Sequence, residues 1–211
     1  MLADARRVGA EEFVFGGDYA LFGAFPSEAV ARLRDLDGTW IRGNTDRWLA
    51  DASDAPVNEL IERALADCRE ALGEAAWDLA ALPATALVEG ALVCHASPRS
   101  DMESFAPEAG EADAVLLDDD DPDLIFFGHT HLQFRRSAGP RTLVNPGSVG
   151  LPFDRDRRAA YALWRCGDDL ELRRVEYDAD AYASELRERM GEALGEAVET
   201  LAQRVLQARF V

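Results

Sequence analysis

Five side chains with nitrogen or oxygen donors recur at one kind of place in this sequence, just after a short apolar run, where a strand would end. Asp18 closes "FVFGGD", Asn44 closes "TWIRGN", His95 follows "ALVC", and His129 and His131 close "LIFFGHTH". The chain has three histidines, and all of them stand at such ends. A further amide, Asn145, sits in "TLVNPGS". One strand-end histidine alone reads as a hydrogen-bonded structural residue. Three of them together with a carboxylate and an amide point to a shared site. Mixed nitrogen and oxygen donors without thiolate suit Mn²⁺, Fe²⁺ or Zn²⁺. In an extended His-x-His segment the two imidazoles face opposite ways, so a turn at Gly128 is expected to let them converge. Converged histidines can serve two ions ~3.5–4 Å apart, the clamp used for displacement at phosphorus.

Such donors need a scaffold that brings strand ends together, and the pattern along the chain supplies one. Short apolar runs alternate with helical periodicity, and in sheets with helices on their faces sites form beyond the carboxyl ends of the strands. "PSEAVARLRDL" predicts a helix over Pro26 to Leu36 with Ser27 as N-cap, and residues 57–82 predict a helical stretch interrupted near Gly73 and ended by Pro83. "TALVEGALVCHA" predicts a hairpin turning at Glu89-Gly90. Three more strand-like runs follow Gly139-Pro140. The tail, about residues 180–209, is amphipathic at helical spacing through Leu186, Met190, Leu194, Val198, Leu201, Val205 and Leu206 and is expected to lie against the rest of the chain. No repeat or Pro/Ser-rich hinge interrupts the 211 residues, so a single domain over 1–211 is expected. The run Asp118 to Asp121 lacks the central Gly and terminal Glu of a calcium loop and reads as a solvated turn.

Composition narrows the partners. The formal net charge is −18 and all 22 basic residues are Arg. Such a surface repels nucleic-acid backbones and anionic membranes, which argues against non-specific binding to either. No apolar run approaches the ~18 residues of a membrane span. Cys68, Cys94 and Cys166 are unpatterned, as in reduced cytosolic proteins, so a cytoplasmic location is expected.

Taken in order, "GGDYALFG", "GNTD", "CHASP", "GHTH" and "NPGSVG" resemble the motif series of the calcineurin-like metallophosphoesterases, most closely their small bacterial and archaeal phosphodiesterase branch. The match in order and spacing runs from about Phe13 to Val175. The resemblance implies an α/β (α+β) fold, a sandwich of two mixed sheets flanked by helices. It implies a dinuclear divalent centre; ligand hardness and metal availability make Mn²⁺ the expected ion, with Fe²⁺, Zn²⁺ or Ni²⁺ as substitutes. Carried over by position, Asp18 matches the carboxylate that bridges both metals, Asn44, His95 and His129 match ligands of the second metal, and His131 matches a ligand of the first. In the family a hydroxide held by the metals attacks phosphorus in line with the leaving oxygen. The implied substrate is a small or nucleotide-like phosphoester, hydrolysed as a diester.

Two departures stand against that pattern. The family opens with a strand ending in Asp-x-His, and none precedes His95 here. The sequence is therefore expected to be N-terminally incomplete by roughly 20 residues, a strand plus a turn and half a helix; as written it would hold one ion. An in-frame stop codon upstream of Met1, before any such strand, would refute this. Secondly, Thr45 stands where many relatives carry a histidine that contacts the substrate, and a hydroxyl cannot donate a proton at neutral pH as imidazolium does. Asp46, which would orient that histidine, is kept. A catalytically impaired scaffold or a phosphate- or nucleotide-binding module is the alternative. Arg47 and Arg99, near the donors in sequence, read as surface arginines paired with abundant acids.

Overall fold

Aromatic and β-branched residues build a pair of parallel strands whose ends carry the first two candidate donors. The computed structural model describes residues 1–165, 167 and 169–210. A short helix, α1 (Leu2–Arg7), precedes β1 (Phe13–Phe15); α2 (Pro26–Arg34) then leads to β2 (Gly38–Trp40), in register Phe13 with Gly38 and Phe15 with Trp40. Trp40 packs against Phe15 and Tyr19, with ring centroids 4.6 and 4.8 Å away. Ser27 does not cap α2. Phe25 is the N-cap and Pro26 opens the helix, its fixed φ already helical, while the Ser27 hydroxyl donates to the Ala71 carbonyl at 2.5 Å. The second strand is also shorter than "TWIRGN" predicts. After Ile41 the backbone leaves β1, the Arg42 N–H bonds the Pro83 carbonyl at 2.8 Å, and Asn44 becomes the first residue of a short helix, α3 (Asn44–Trp48).

The stretch around residues 57–82 is two helices, α4 (Glu59–Leu72) and α5 (Ala75–Ala80), separated at Gly73, which takes φ +56°. Asn58 caps α4 by accepting from Leu60 N–H at 2.9 Å, and Leu60, Ala64, Leu65, Cys68 and Leu72 form its buried stripe. The hairpin β3 (Thr85–Val88) and β4 (Ala91–Cys94) turns at Glu89-Gly90 as expected. The small helix α6 (Asp113–Leu116) and β5 (Leu124–Phe126) follow. Next comes β6 (Gln133–Ala138), a strand that polar composition hides from sequence periodicity, paired antiparallel with β7 (Arg141–Pro146). Together they form a five-stranded mixed sheet in the order β3-β4-β5-β7-β6, with β4, β5 and β7 parallel.

The α/β class and the mixed sheet flanked by helices thus hold, but the other strands lie in two pieces rather than one second sheet. The β1-β2 pair is one, and the antiparallel pair β8 (Ala159–Trp164) with β9 (Leu170–Val175) is the other. Gln133 ties this last pair to the large sheet. Its amide nitrogen faces the carbonyls of Pro146, Tyr161 and Arg173 at 3.0–3.3 Å, and its oxygen accepts from Arg174. The amphipathic tail is two helices, α7 (Ala179–Leu194) and α8 (Ala197–Gln207), because Gly195 takes φ +57° and reverses the chain. Leu186, Met190, Leu194, Val198, Leu201 and Val205 are buried against one another and against Ala24, Leu60 and Ala64, so the tail does lie on the rest of the fold. Leu206, counted in the same stripe, stays partly exposed. Cys68 and Cys94 are buried free thiols, and burial pushes both up to about 12; Cys166 lies outside the described residues. Among the described residues no helix is long and apolar enough to cross a membrane.

Candidate metal centre

Backbone contact between two glycines sets the geometry. Gly17, at φ +93°, lies so close to the loop after β2 that a Cβ there would stand 2.3 Å from Gly43 N. Gly43 is equally hemmed in, with Asp18 Oδ1 2.2 Å and His95 Cε1 2.7 Å from the position of its absent Cβ. The Tyr19 hydroxyl adds a staple by donating to the Ile41 carbonyl at 2.6 Å. Beneath them Asp46 is buried and accepts from the N–H groups of Asp18 (2.7 Å), Gly43 (2.8 Å) and Tyr19 (3.2 Å). Burial and the neighbouring Asp18 charge outweigh these donors and push Asp46 up to about 7. Its role is to close the two loops on each other, with no imidazole to orient.

Four of the five predicted donors meet above that floor. His95, 3 % exposed, points Nδ1 at the Gly16 carbonyl (2.7 Å), while its Nε2 faces Asn44 Oδ1 at 3.0 Å and Asp18 Oδ2 at 3.3 Å. His129 Nδ1 reaches the same Asn44 oxygen at 3.0 Å, and the two imidazoles meet edge-on with centroids 5.3 Å apart. The other carboxylate oxygen of Asp18 is held by Thr45, through its hydroxyl at 2.7 Å and its N–H at 3.1 Å. Thr45 therefore aims a metal-type donor and does not face outward. His131 is the outlier. Its Nδ1 donates to the Leu151 carbonyl at 2.6 Å and its ring stacks on Phe153, so it stands beside the four rather than among them.

Burial lowers His129 and His131, and the positive charge of His95 lowers His129 further. Burial also opposes a charge on His95, but the Asp18 carboxylate prevails and raises it to about 9. Asp18 is driven up by burial and down by His95, and the second effect wins, leaving it well below the usual carboxylate range.

The donor set fits a cation. Nδ1 of His95 must carry a proton to meet the Gly16 carbonyl. Nε2 then confronts the Asn44 amide oxygen and the Asp18 carboxylate, which a second proton or a positive ion satisfies. Among the described residues no three His, Cys, Asp or Glu side chains form a group able to hold a metal ion by themselves. The convergence runs through the Asn44 amide oxygen, a hard donor of the kind such ions accept. Without a metal, His95 is an imidazolium whose folded pKa of about 9 exceeds its unfolded 6.5. Its stabilisation is complete below pH 6.5 and is lost as pH rises through 9, on the order of 3 kcal/mol. Chelator-treated protein is thus expected to become easier to unfold in urea between pH 6.5 and 9. A flat or rising profile over that interval would contradict the imidazolium.

Strain marks the same residues. Asp18, His129 and His131 take φ of +59°, +62° and +58°, a left-handed conformation that costs a non-glycine residue about 1 kcal/mol or more. Gly128 itself has no such φ, and a Cβ there would meet nothing nearer than 3.6 Å, so the histidines make the turn and not the glycine before them. The sharp bend is fixed by Thr130 N–H to the Gly128 carbonyl (2.7 Å) and by Asn145, whose amide nitrogen reaches Gly128 O at 2.8 Å and Thr130 Oγ1 at 3.0 Å. Asn145 is therefore a fully buried brace for the turn and not a donor at the site. His129→Gly should be more stable than His129→Ala by about 1 kcal/mol, since only alanine keeps the strain. Equal urea midpoints would mean that the turn relaxes freely. Arg47 is engaged by Asp101, which it grips with two bonds of 2.7 and 3.0 Å, and by Asp54; Arg99 pairs with Asp118.

A five-stranded mixed sheet flanked by helices, with its loops converging on imidazole, amide and carboxylate donors, is a metallophosphoesterase-type fold. The chain belongs to the calcineurin-like phosphoesterase superfamily, whose domain model matches residues 1–169. It is 31 % identical over 225 residues to an uncharacterized protein, MJ0912, of Methanocaldococcus jannaschii, covering 93 % of this chain and 89 % of that one. Its fold superposes on a metallophosphoesterase from Sphaerobacter thermophilus with a TM-score of 0.77 at 26 % identity, covering 98 % of this chain and 91 % of that one. It also superposes on the hypothetical protein PH1004 from Pyrococcus horikoshii, with a TM-score of 0.78 at 17 % identity and coverage of 97 % and 90 %. That second likeness is one of fold alone. The family uses divalent metals, and phosphoester hydrolysis is its chemistry.

Proposed function

We propose that the protein is a metal-dependent phosphodiesterase acting on a small, nucleotide-like phosphoester, with Asp18, Asn44, His95 and His129 holding one divalent ion and His131 serving a second. The observation that carries this is the His95 Nε2, buried between two oxygen acceptors with its other nitrogen already committed. A divalent ion bound there supplies Lewis-acid polarisation of a phosphoryl oxygen and acidifies a water. The side chains prepare for it. Gly16 fixes the His95 tautomer and Thr45 turns one oxygen of Asp18 away so that the other faces inward. The global field of a chain at −18 repels an anionic substrate, so the attraction has to be local and short-ranged. With Arg47 and Arg99 paired to acids, the ion is the natural source of that attraction.

Thr45 bears on the leaving group. Its hydroxyl is spent on Asp18 and donates no proton to a leaving group, which favours esters whose leaving oxygen departs unaided. The strained φ values of Asp18, His129 and His131 weigh against an inert scaffold, which has no need to maintain that strain. Buried free thiols and the absence of a basic surface accord with a cytoplasmic place.

The test is hydrolysis of bis(p-nitrophenyl) phosphate and of p-nitrophenyl phosphate with Mn²⁺, Fe²⁺, Zn²⁺ and Ni²⁺ in turn. Diester turnover that exceeds monoester turnover and is abolished by chelator is the expected outcome. No turnover with any ion, together with no metal retained after gel filtration, would sink the proposal.

A further inference from the structure

The segment after β7 is anchored at both ends and crosses His131 between its anchors. At one end the Leu151 N–H bonds Ser148 Oγ at 3.0 Å. At the other, Asp154 accepts from the Gln133 N–H at 3.1 Å and pairs with Arg174, while the Arg155 N–H bonds the Ala208 carbonyl at 2.8 Å. Between these points lies Pro152, buried and with φ locked by its ring. This strap grips His131 three ways. Leu151 O accepts from Nδ1 at 2.6 Å, the Phe153 N–H bonds the His131 carbonyl at 3.1 Å, and the Phe153 ring lies over the imidazole at 4.8 Å and 21°. The contacts continue outward. Phe210 meets Phe153 at 5.6 Å and 89°, and the Arg204 guanidinium lies 4.1 Å from the Phe210 centroid. Phe210 is 73 % exposed, and two residues before it Ala208 is buried, left-handed and held through its carbonyl by the Arg155 N–H.

We propose that Phe153 is a positioning residue for His131, presenting its Nε2 to the site, and that the C-terminal segment from Ala208 to Phe210 holds Phe153 in that role. The reason is mechanical. His131 occupies a strained left-handed φ that the structure around it has to hold. A ligand-type histidine is set by the partner of its other nitrogen and by the wall it leans on. Leu151 provides the first and Phe153 the second. An offset aromatic stack is enough to bias one ring orientation several-fold. Its catalytic consequence rests on the phosphodiesterase reading; its structural consequence does not.

The experiment compares Phe153→Leu, Phe153→Tyr and Phe210→Ala with the wild-type chain. Long-range ¹H–¹⁵N spectra of the chelated proteins are read first. The wild type should show His131 held as the Nδ1–H tautomer with an upfield ring-current shift. Phe153→Leu should lose the shift and mix the tautomers, Phe153→Tyr should restore both, and Phe210→Ala should fall between. With Mn²⁺ and bis(p-nitrophenyl) phosphate, Phe153→Leu should lower kcat about tenfold with KM within about twofold, and Phe153→Tyr should recover. Far-ultraviolet circular dichroism confirms folding of each variant. His131 signals unchanged in Phe153→Leu, or Phe153→Tyr as impaired as Phe153→Leu, would overturn the proposal. A wild type that turns over nothing counts against the phosphodiesterase reading and leaves the spectra to decide this one.

Discussion

Gly43→Ala should disable the candidate centre while leaving the protein folded. Gly43 has φ −95° and ψ −179°, a conformation alanine adopts freely, so the damage would be steric and not torsional. The new methyl would lie 2.2 Å from Asp18 Oδ1, 2.7 Å from His95 Cε1 and 2.8 Å from Asp18 N. None of these atoms can swing away, because Asp18 Oδ1 is bonded to Thr45 and the Asp18 N–H to Asp46. The two loops must separate by roughly 1 Å, a displacement that costs about a hundredfold in rate at a site built on geometry. Overpacking should cost about 1–3 kcal/mol of stability. Titration with Mn²⁺, diester hydrolysis and urea unfolding would read all three. Gly16→Ala is the matched control, since a Cβ there meets nothing within 4 Å although its carbonyl contacts His95. Wild-type metal uptake and turnover in Gly43→Ala would show that the loops are not locked together by close contact.

His95→Ala is the second large effect. It removes the one side chain that contacts Asp18 and Asn44 from the far side, and the one positive group facing the Asp18 carboxylate there when no metal is bound. Breaking a buried pair by removing one partner typically costs about 3–5 kcal/mol, and Asp18 keeps partial solvent contact, so the low end, about 3 kcal/mol, is expected at pH 6.5. The loss should shrink toward pH 9, where the wild type itself gives up the imidazolium. Metal retention should disappear, with diester turnover down by at least about a thousandfold. If His95→Ala binds Mn²⁺ as the wild type does, then Asp18, Asn44 and His129 do not gather around a cation with His95, and the site assignment falls.

Much of this was legible in the chain because the donors and their supports are local. Helical periodicity from residue 57, its break at Gly73 and Glu89-Gly90 between alternating runs give α4 and the first hairpin directly. Elements whose cause is remote were not legible. The strand β6 carries Gln-Phe-Arg-Arg-Ser-Ala and exists because β7 offers it an edge, with Gln133 then turned inward to bond three carbonyls. A continuous tail helix fails at Gly195, since packing the apolar stripes of α7 and α8 on each other and on α4 outweighs helix continuity. Ser27 has the right residue type for a cap, but the Ala71 carbonyl claims its hydroxyl.

The donors show the same division. By itself the sequence determined which atoms are available. One Asp, one Asn and three His follow apolar runs, no thiolate stands among them, and Thr replaces an imidazole. Those facts follow from residue type and strand periodicity, which act over a few positions. Only the tertiary structure decided which atoms meet. It placed Asp18, Asn44, His95 and His129 around one point, set His131 beside Leu151 and Phe153, and turned Asn145 and Asp46 into braces. Those choices depend on the close approach of Gly17 to Gly43 and on left-handed turns paid for by packing elsewhere, which no local spacing encodes.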